Sequence, residues 1–165
     1  MKHPLSVSRM ATPLGDIVLG FTARGLAVLE FADRLTQRQL AHFTPQEGGE
    51  DARHAALQQQ LQDYFQGKRR LFEIALDLCG TDFQQRVWQS LLDIPYGTTW
   101  SYGQQARHLG QAQAVRAVAA ANGRNPVSIV VPCHRVIGQD GRLTGYGGGL
   151  ARKAFLLRLE GAVFV

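Results

Sequence analysis

The spacing of apolar positions changes several times along the chain, and each change predicts an element. Residues 16–21 and 26–31 are dense in Ile, Val, Leu and Phe. The four residues between them, Thr22-Ala23-Arg24-Gly25, form the turn of a predicted hairpin. The stretch 35–43 predicts a short helix, and 44–49, which holds Pro45, Gly48 and Gly49, predicts a loop. In 51–65, Leu57, Leu61 and Phe65 recur at every fourth position, which predicts a helix stopped at Gly67. Over 72–78 the step shortens to two: Phe72, Ile74, Leu76 and Leu78 alternate with Glu73, Ala75 and Asp77, the period of a strand. Residues 1–79 therefore read as a small mixed α/β unit, and nothing in them suggests chemistry.

Gly80 predicts a boundary, with a second unit over 80–165. Thr81 and Gln84 have capping-box spacing, and Phe83, Val87 and Leu91 follow on one helical face until Pro95-Tyr96-Gly97 breaks it. Two further helices, 101–109 and 112–122, flank Gly110 in the manner of a helix-turn-helix. The second is built from small residues, Ala112, Ala114, Ala117, Ala119, Ala120 and Ala121, with Arg116 as its protruding cation. Such a helix suits close packing inside the protein, and equally entry into a narrow nucleic-acid groove. The continuous apolar run 127–131 predicts a buried strand ended by Pro132, which has no N–H to continue a ladder. Residues 138–141 form a hairpin-type turn. Residues 144–149 are glycine-rich without the Gly-Lys-Ser/Thr of a phosphate loop, so they are either a linker or a loop whose amides approach a flat ligand. A last helix, 150–160, is capped by Gly161.

Composition narrows the class. The 45% hydrophobic and 19% charged content fits a soluble globular protein, and no apolar run reaches the ~20 residues of a membrane span. The first residues lack the apolar core of a secretory signal, so the expected setting is cytoplasmic. The net charge of +5 is uneven. Residues 1–80 carry nine Lys/Arg against nine Asp/Glu, whereas 81–165 carry nine against four, which suggests a polyanion partner for the second half. The two cysteines, Cys79 and Cys133, are far apart and match neither a disulfide framework nor a zinc site.

The candidate chemistry lies in Pro132-Cys133-His134-Arg135-Val136. A thiol next to an imidazole, where a buried segment opens into a turn, can be held as a reactive thiolate. Glu160 is the second signal. A carboxylate at a helix C-terminus opposes the helix dipole, so it is either solvated or held there to pair with a group such as His134. On these residues alone, Cys133 is either a reactive thiol or one more buried, inert cysteine.

Taken together, the stretches Arg124-Asn125-Pro126, Pro132-Cys133-His134-Arg135-Val136 and Gly145-Tyr146-Gly147-Gly148-Gly149 resemble the O6-alkylguanine-DNA alkyltransferases. The likeness is strong over 81–161 and looser, through Thr12-Pro13-Leu14-Gly15, over 1–80. It implies an N-terminal ribonuclease-H-like domain followed by a winged helix-turn-helix domain that binds DNA and carries the active site. By the resemblance, Cys133 accepts the alkyl group irreversibly, His134 is its water-linked base and Glu160 orients that histidine. Asn125 braces the turn before the active-site segment, and Tyr102 rotates the target phosphate and contacts the base. Arg116 fills the gap left by a flipped nucleotide, with Ala117, Ala121 and Arg124 also against DNA. Val136, Tyr146, Gly147 and Gly148 line the guanine pocket. The implied partner is double-stranded DNA containing O6-alkylguanine, with O4-methylthymine as a further substrate. The implied protein is a monomer used once, without cofactor, metal or membrane, and cooperative binding along DNA is left open. Ser128 and Gly147 depart from some relatives and bear on tolerance for bulky adducts.

Overall fold

The computed structural model describes residues 2–46 and 49–165 and divides into two compact units, 1–79 and 80–165. The first is built on a sheet of β1 (His3–Met10), β2 (Ile17–Phe21), β3 (Leu26–Phe31) and β4 (Phe43–Gln46), in the order β3-β2-β1-β4. The predicted hairpin is β2–β3, antiparallel with Ile17 opposite Phe31; β1 runs antiparallel to β2 and parallel to β4. Both hairpin strands are buried along their whole length, because each face of the sheet is covered. On one face, Leu35 and Leu40 pack against Leu5, Ala27, Val28 and Phe43. On the other lies α1 (Ala52–Phe65), with His54, Leu57, Leu61 and Tyr64 buried. Gly20 in β2 leaves room for Leu5: a Cβ there would stand 2.8 Å from Leu5 Cδ2, and the leucine side chain would have to shift.

β1 was not visible in the apolar pattern, for a physical reason. Its period-two face toward α1 carries Ser6 and Ser8, which look solvent-facing in sequence but bond the buried His54 ring, Ser6 at Nε2 (2.8 Å) and Ser8 at Nδ1 (2.5 Å). Four expectations in this unit are corrected. Residues 35–43 form successive i→i−3 turns rather than a helix, and lead into β4. Leu35 and Leu40 must both face the sheet, whereas a helix would put them about 140° apart. The predicted loop 44–49 is strand as far as Gln46, with Pro45 tolerated on the edge strand; Glu47 and Gly48 lie outside the described residues. Residues 72–78 keep their alternating burial but pair only once, Leu26 with Leu76 in parallel. The buried stripe of α1 also runs through Tyr64 rather than Phe65, as a 3.6-residue period prefers.

The second unit opens with α2 (Asp82–Leu91), started by the Thr81–Gln84 capping box. Then come β5 (Trp100–Ser101), α3 (Tyr102–His108, with a Ser101–Gln104 capping box) and α4 (Val115–Asn122). A 3-10 turn at Cys133–Arg135, β6 (Val136–Ile137) and α5 (Leu150–Leu159) complete it. A buried polar cluster locks α2, α3 and α4 together. Gln105 and Asn122 exchange reciprocal amide bonds of 3.0 and 2.6 Å, Gln105 Nε2 also donates to Ser90 Oγ (3.1 Å), and Trp88 Nε1 donates to the Ala121 carbonyl (2.8 Å). α4 starts three residues later than predicted, because Ala114 provides no capping side chain and 111–114 is a turn. Among the described residues, no helix is long and apolar enough to cross a membrane.

The predicted strand 127–131 is absent. Its residues are buried as expected, but they coil into turns, with Val131 N bonded to Val127 O at 3.1 Å. Asn125 clamps this coil from within: Oδ1 accepts from Val127 N (3.0 Å) and Nδ2 donates to Val131 O (2.8 Å). One amide cannot span the ~13 Å between the ends of a five-residue strand. The tight path drives Ile129 to a φ of 71°, a left-handed conformation that a β-branched residue rarely adopts.

Candidate active site

The coil that Asn125 holds delivers Pro132 and then the 3-10 turn carrying Cys133, His134 and Arg135. The turn is fixed on both sides. Its next residues, β6, pair in parallel with β5, Trp100 opposite Val136, and β5 runs directly into Tyr102 at the start of α3. Cys133 is half-buried and forms no disulfide. The His134 ring and the Glu160 carboxylate are both fully buried and meet at 2.8 Å, Nε2 to Oε2. Glu160 sits at the C-cap of α5, followed by Gly161 at a φ of 73°, the left-handed residue that ends the helix.

Glu160 has a second partner that sequence reasoning did not identify. Arg135 forks onto it, Nε to Oε1 at 2.8 Å and Nη2 to Oε2 at 3.1 Å, while Nη1 donates to the Ile94 carbonyl at 2.7 Å. Burial by itself would raise the Glu160 carboxyl, but the hydrogen bonds from His134 and Arg135 and the Arg135 charge outweigh it and hold it well below the usual carboxylate range. His134 is lowered too, but here burial is the cause. Burial pushes the imidazole below its ordinary value, Glu160 pulls it up, and the Arg135 and Lys153 cations push it down again. Burial and the neighbouring cations thus favour an ionised carboxylate beside an uncharged imidazole, and the carboxylate at Nε2 is the acceptor for a ring proton on that side. The ring's Nδ1 is buried and meets no hydrogen-bond partner among the described residues.

Lys153 was also missed. Wholly buried on α5, it donates from Nζ to the carbonyls of Val136 (2.5 Å) and Thr144 (2.7 Å), which ties β6 to the start of the glycine-rich segment. Burial brings its ammonium down to about 8, against an upward pull from the Cys133 sulfur. In sequence it is one of two adjacent cations, Arg152-Lys153, near a helix start, and looks solvated. Its place beside Ala154 and one turn before Leu156 and Leu157, on the buried side of α5, was the available signal.

The other named residues fall in three places. Tyr102 stands at the rim, its hydroxyl donating to the Thr144 carbonyl at 3.2 Å, so Tyr102 and Lys153 share one acceptor. Tyr146, Gly147 and Gly148 follow in the same segment: Gly147 is exposed, and Gly149 N closes a turn onto the Tyr146 carbonyl at 2.9 Å. Val136 has a fully buried side chain and serves the site through its carbonyl. Arg116, Ala117 and Arg124 lie exposed on or just after α4. Ala121 is corrected: it is buried, with its carbonyl bound to Trp88, and offers no surface to a partner. Among the described residues, no three His, Cys, Asp or Glu side chains gather in a way that could hold a metal ion.

Comparison with known proteins follows the same division. Residues 7–78 match the profile of the 6-O-methylguanine DNA methyltransferase ribonuclease-like domain, and residues 82–162 that of the 6-O-methylguanine DNA methyltransferase DNA binding domain. The chain is 49% identical to the methylated-DNA–protein-cysteine methyltransferase of Mycobacterium leprae, over 92% of this chain and 89% of the relative. It is 45% identical to the protein of that name from Salmonella typhimurium, over 93% and 94%. Among solved structures it resembles the Mycobacterium tuberculosis O6-methylguanine methyltransferase, with a TM-score of 0.83 and 45% identity over 95% of this chain and 93% of that one. It matches the same protein in complex with DNA with a TM-score of 0.83, over 96% and 92%.

Proposed function

Because the chain belongs to the 6-O-methylguanine DNA methyltransferase family, we propose that it repairs DNA by moving the alkyl group of O6-methylguanine onto its own Cys133. The Cys133 sulfur attacks the methyl carbon from behind, a sulfur–carbon bond forms, and the carbon–O6 bond breaks. The neutral His134, held through Nε2 by Glu160, takes the thiol proton at Nδ1 through a bridging water, since Nδ1 meets no direct partner among the described residues. The departing guanine anion receives a hydrogen bond or proton, for which the Tyr102 hydroxyl at the rim is suited. A thioether does not hydrolyse, so each molecule acts once, and no cofactor enters the balance. O6 of a stacked guanine cannot reach a half-buried thiol, so the nucleotide is flipped out at a cost of a few kcal/mol. Arg116, exposed on α4, offsets that cost by occupying the vacated stack. The partner is double-stranded DNA bearing the lesion, with O4-methylthymine a second substrate.

The observation that carries this reading is the half-buried Cys133 on the same turn as a neutral histidine whose far nitrogen is fixed by an ionised carboxylate. The test is peptide mass after incubation with a duplex containing one O6-methylguanine. One methyl on Cys133 with an equal amount of guanine restored is expected, and Cys133→Ala abolishes it while still binding DNA. Binding with both Cys133 and lesion unchanged would mean a lesion-sensing module. Turnover beyond one equivalent would mean a hydrolase-like cycle.

A further inference from the structure

The carboxylate that orients His134 is shared with a second buried cation. Arg135 covers Glu160 Oε1 from Nε at 2.8 Å and reaches Oε2 from Nη2 at 3.1 Å, the same oxygen that His134 Nε2 meets at 2.8 Å. Its remaining arm is spent on the Ile94 carbonyl beyond α2, and its guanidinium lies 5.7 Å from the Tyr96 ring centroid, so it has little freedom to leave. With a neutral thiol, a Cys-His-carboxylate site has two balanced resting states: an imidazolium paired with the carboxylate, or a neutral imidazole with the carboxylate paired elsewhere. A thiolate–imidazolium pair is a third, but it needs the sulfur in contact with the ring, whereas His134 Nδ1 meets no partner among the described residues. Buried charge is tolerated only when compensated. An arginine does not lose its proton in a protein, so Arg135 is the permanent counter-ion of Glu160. A protonated His134 would then add a positive charge already exceeded nearby by Lys153 on α5, the other cation facing it. Its Nδ1 proton would also be a buried donor without an acceptor among the described residues.

We infer that Arg135 is a positioning residue that sets the protonation state of the site, neutralising Glu160 so that His134 rests as an uncharged base with its Nδ1 lone pair available. The inference rests on Cys133 and His134 acting as proposed above. It sets this site apart from cysteine sites that rest as a thiolate–imidazolium pair. It also gives the Arg of the Cys-His-Arg run a function beyond holding the turn.

The test is ring-nitrogen NMR of His134 in the unmodified protein, Arg135→Met and Arg135→Lys, each followed from pH 5 to 8, with the acid limb of the transfer rate recorded alongside. The unmodified protein should show a neutral ring protonated at Nε2 through the neutral range. Arg135→Met should titrate at least one pKa unit higher, about a tenfold change in the protonation ratio at a given pH. Its rate limb should move to higher pH with it, while Arg135→Lys, which keeps the charge, stays with the parent. A merely structural role would lower the rate at every pH and leave the ring titration in place. An imidazolium in the unmodified protein at pH 7, or coincident titrations in the parent and Arg135→Met, overturns the inference. The first of these needs no variant, so it decides the matter even if Arg135→Met does not fold. Methyl transfer by Cys133→Ala would instead overturn the underlying mechanism, and the ring titration does not depend on that result.

Discussion

Lys153 has no exposed surface, yet its ammonium stands between the carbonyls of Val136 and Thr144. Hydrogen bonds from a charged donor stabilise by roughly 1.5–3 kcal/mol each, so this side chain is the main tie between β6 and the glycine-rich segment. Lys153→Met keeps the buried stem and removes the donors. It should raise amide exchange across residues 144–149 by about tenfold or more, the equivalent of one such bond, while leaving exchange in α2 unchanged. Exchange equal to the parent over 144–149 would mean that the segment holds itself. Individual side chains differed in how far their sequence revealed them. Cys133 and His134 are adjacent in the chain, and Glu160 stood out because its helix end disfavours a carboxylate. Asn125 was placed only through the resemblance. Arg135 and Lys153 escaped because their roles depend on acceptors 25 and 17 residues away, Glu160 and the Val136 carbonyl, and a lone cation carries no mark of being buried.

The elements depend on local signals to different degrees. α2 was legible because it carries its own start, the Thr81–Gln84 capping box, and α3 from its place before the Gly110 turn; the Ser101–Gln104 box that starts α3 was there to be read as well. The hairpin β2–β3 was legible from its apolar density and its turn. What failed were segments whose shape is imposed by one particular polar side chain rather than by apolar spacing: β1, whose serines answer the distant His54, and residues 127–131, which the nearby Asn125 winds into a coil. The mutual placing of α2, α3 and α4 is likewise invisible in periodicity, since it rests on buried amides. Gln105→Leu tests this directly. It leaves both amide groups of Asn122 without their partner in a buried position, at roughly 1–3 kcal/mol for each unsatisfied group. A loss of about 2–4 kcal/mol in a urea or thermal unfolding experiment is expected. The Gln105→Leu, Asn122→Leu double variant should lose less than the sum of the singles, because no polar group is then stranded. Additive losses would show that the two amides do not act as a unit.

At the scale of the molecule, the charge excess and the chemistry fall in the same unit, 80–165, while 1–80 is electrically balanced. Binding to a duplex should therefore weaken steeply with salt, since each neutralised phosphate releases condensed counterions and contributes close to one unit of log–log slope. Arg116 separates two ways in which this unit can use its charge. If it pairs with a phosphate, Arg116→Ala lowers the salt slope by about one and weakens binding alike on damaged and undamaged duplexes. If it fills the space of the flipped nucleotide, the slope stays nearly unchanged. The rate of methyl transfer from a duplex then drops by about tenfold or more, on the scale of the few kcal/mol that unstacking costs. The second outcome is the expected one, because Arg116 is the one charged side chain of α4 and the exposed Ala117 and Ala120 beside it are small enough to let the backbone approach a groove. The control is O6-methylguanine as a free base, which needs no flipping. Its reaction with Cys133 should stay within about twofold of the parent, since the few-kcal/mol flipping cost that Arg116 offsets is absent there. Equal losses on free base and duplex would place the effect of Arg116 in the pocket rather than in the groove, and the finger role would have to be abandoned.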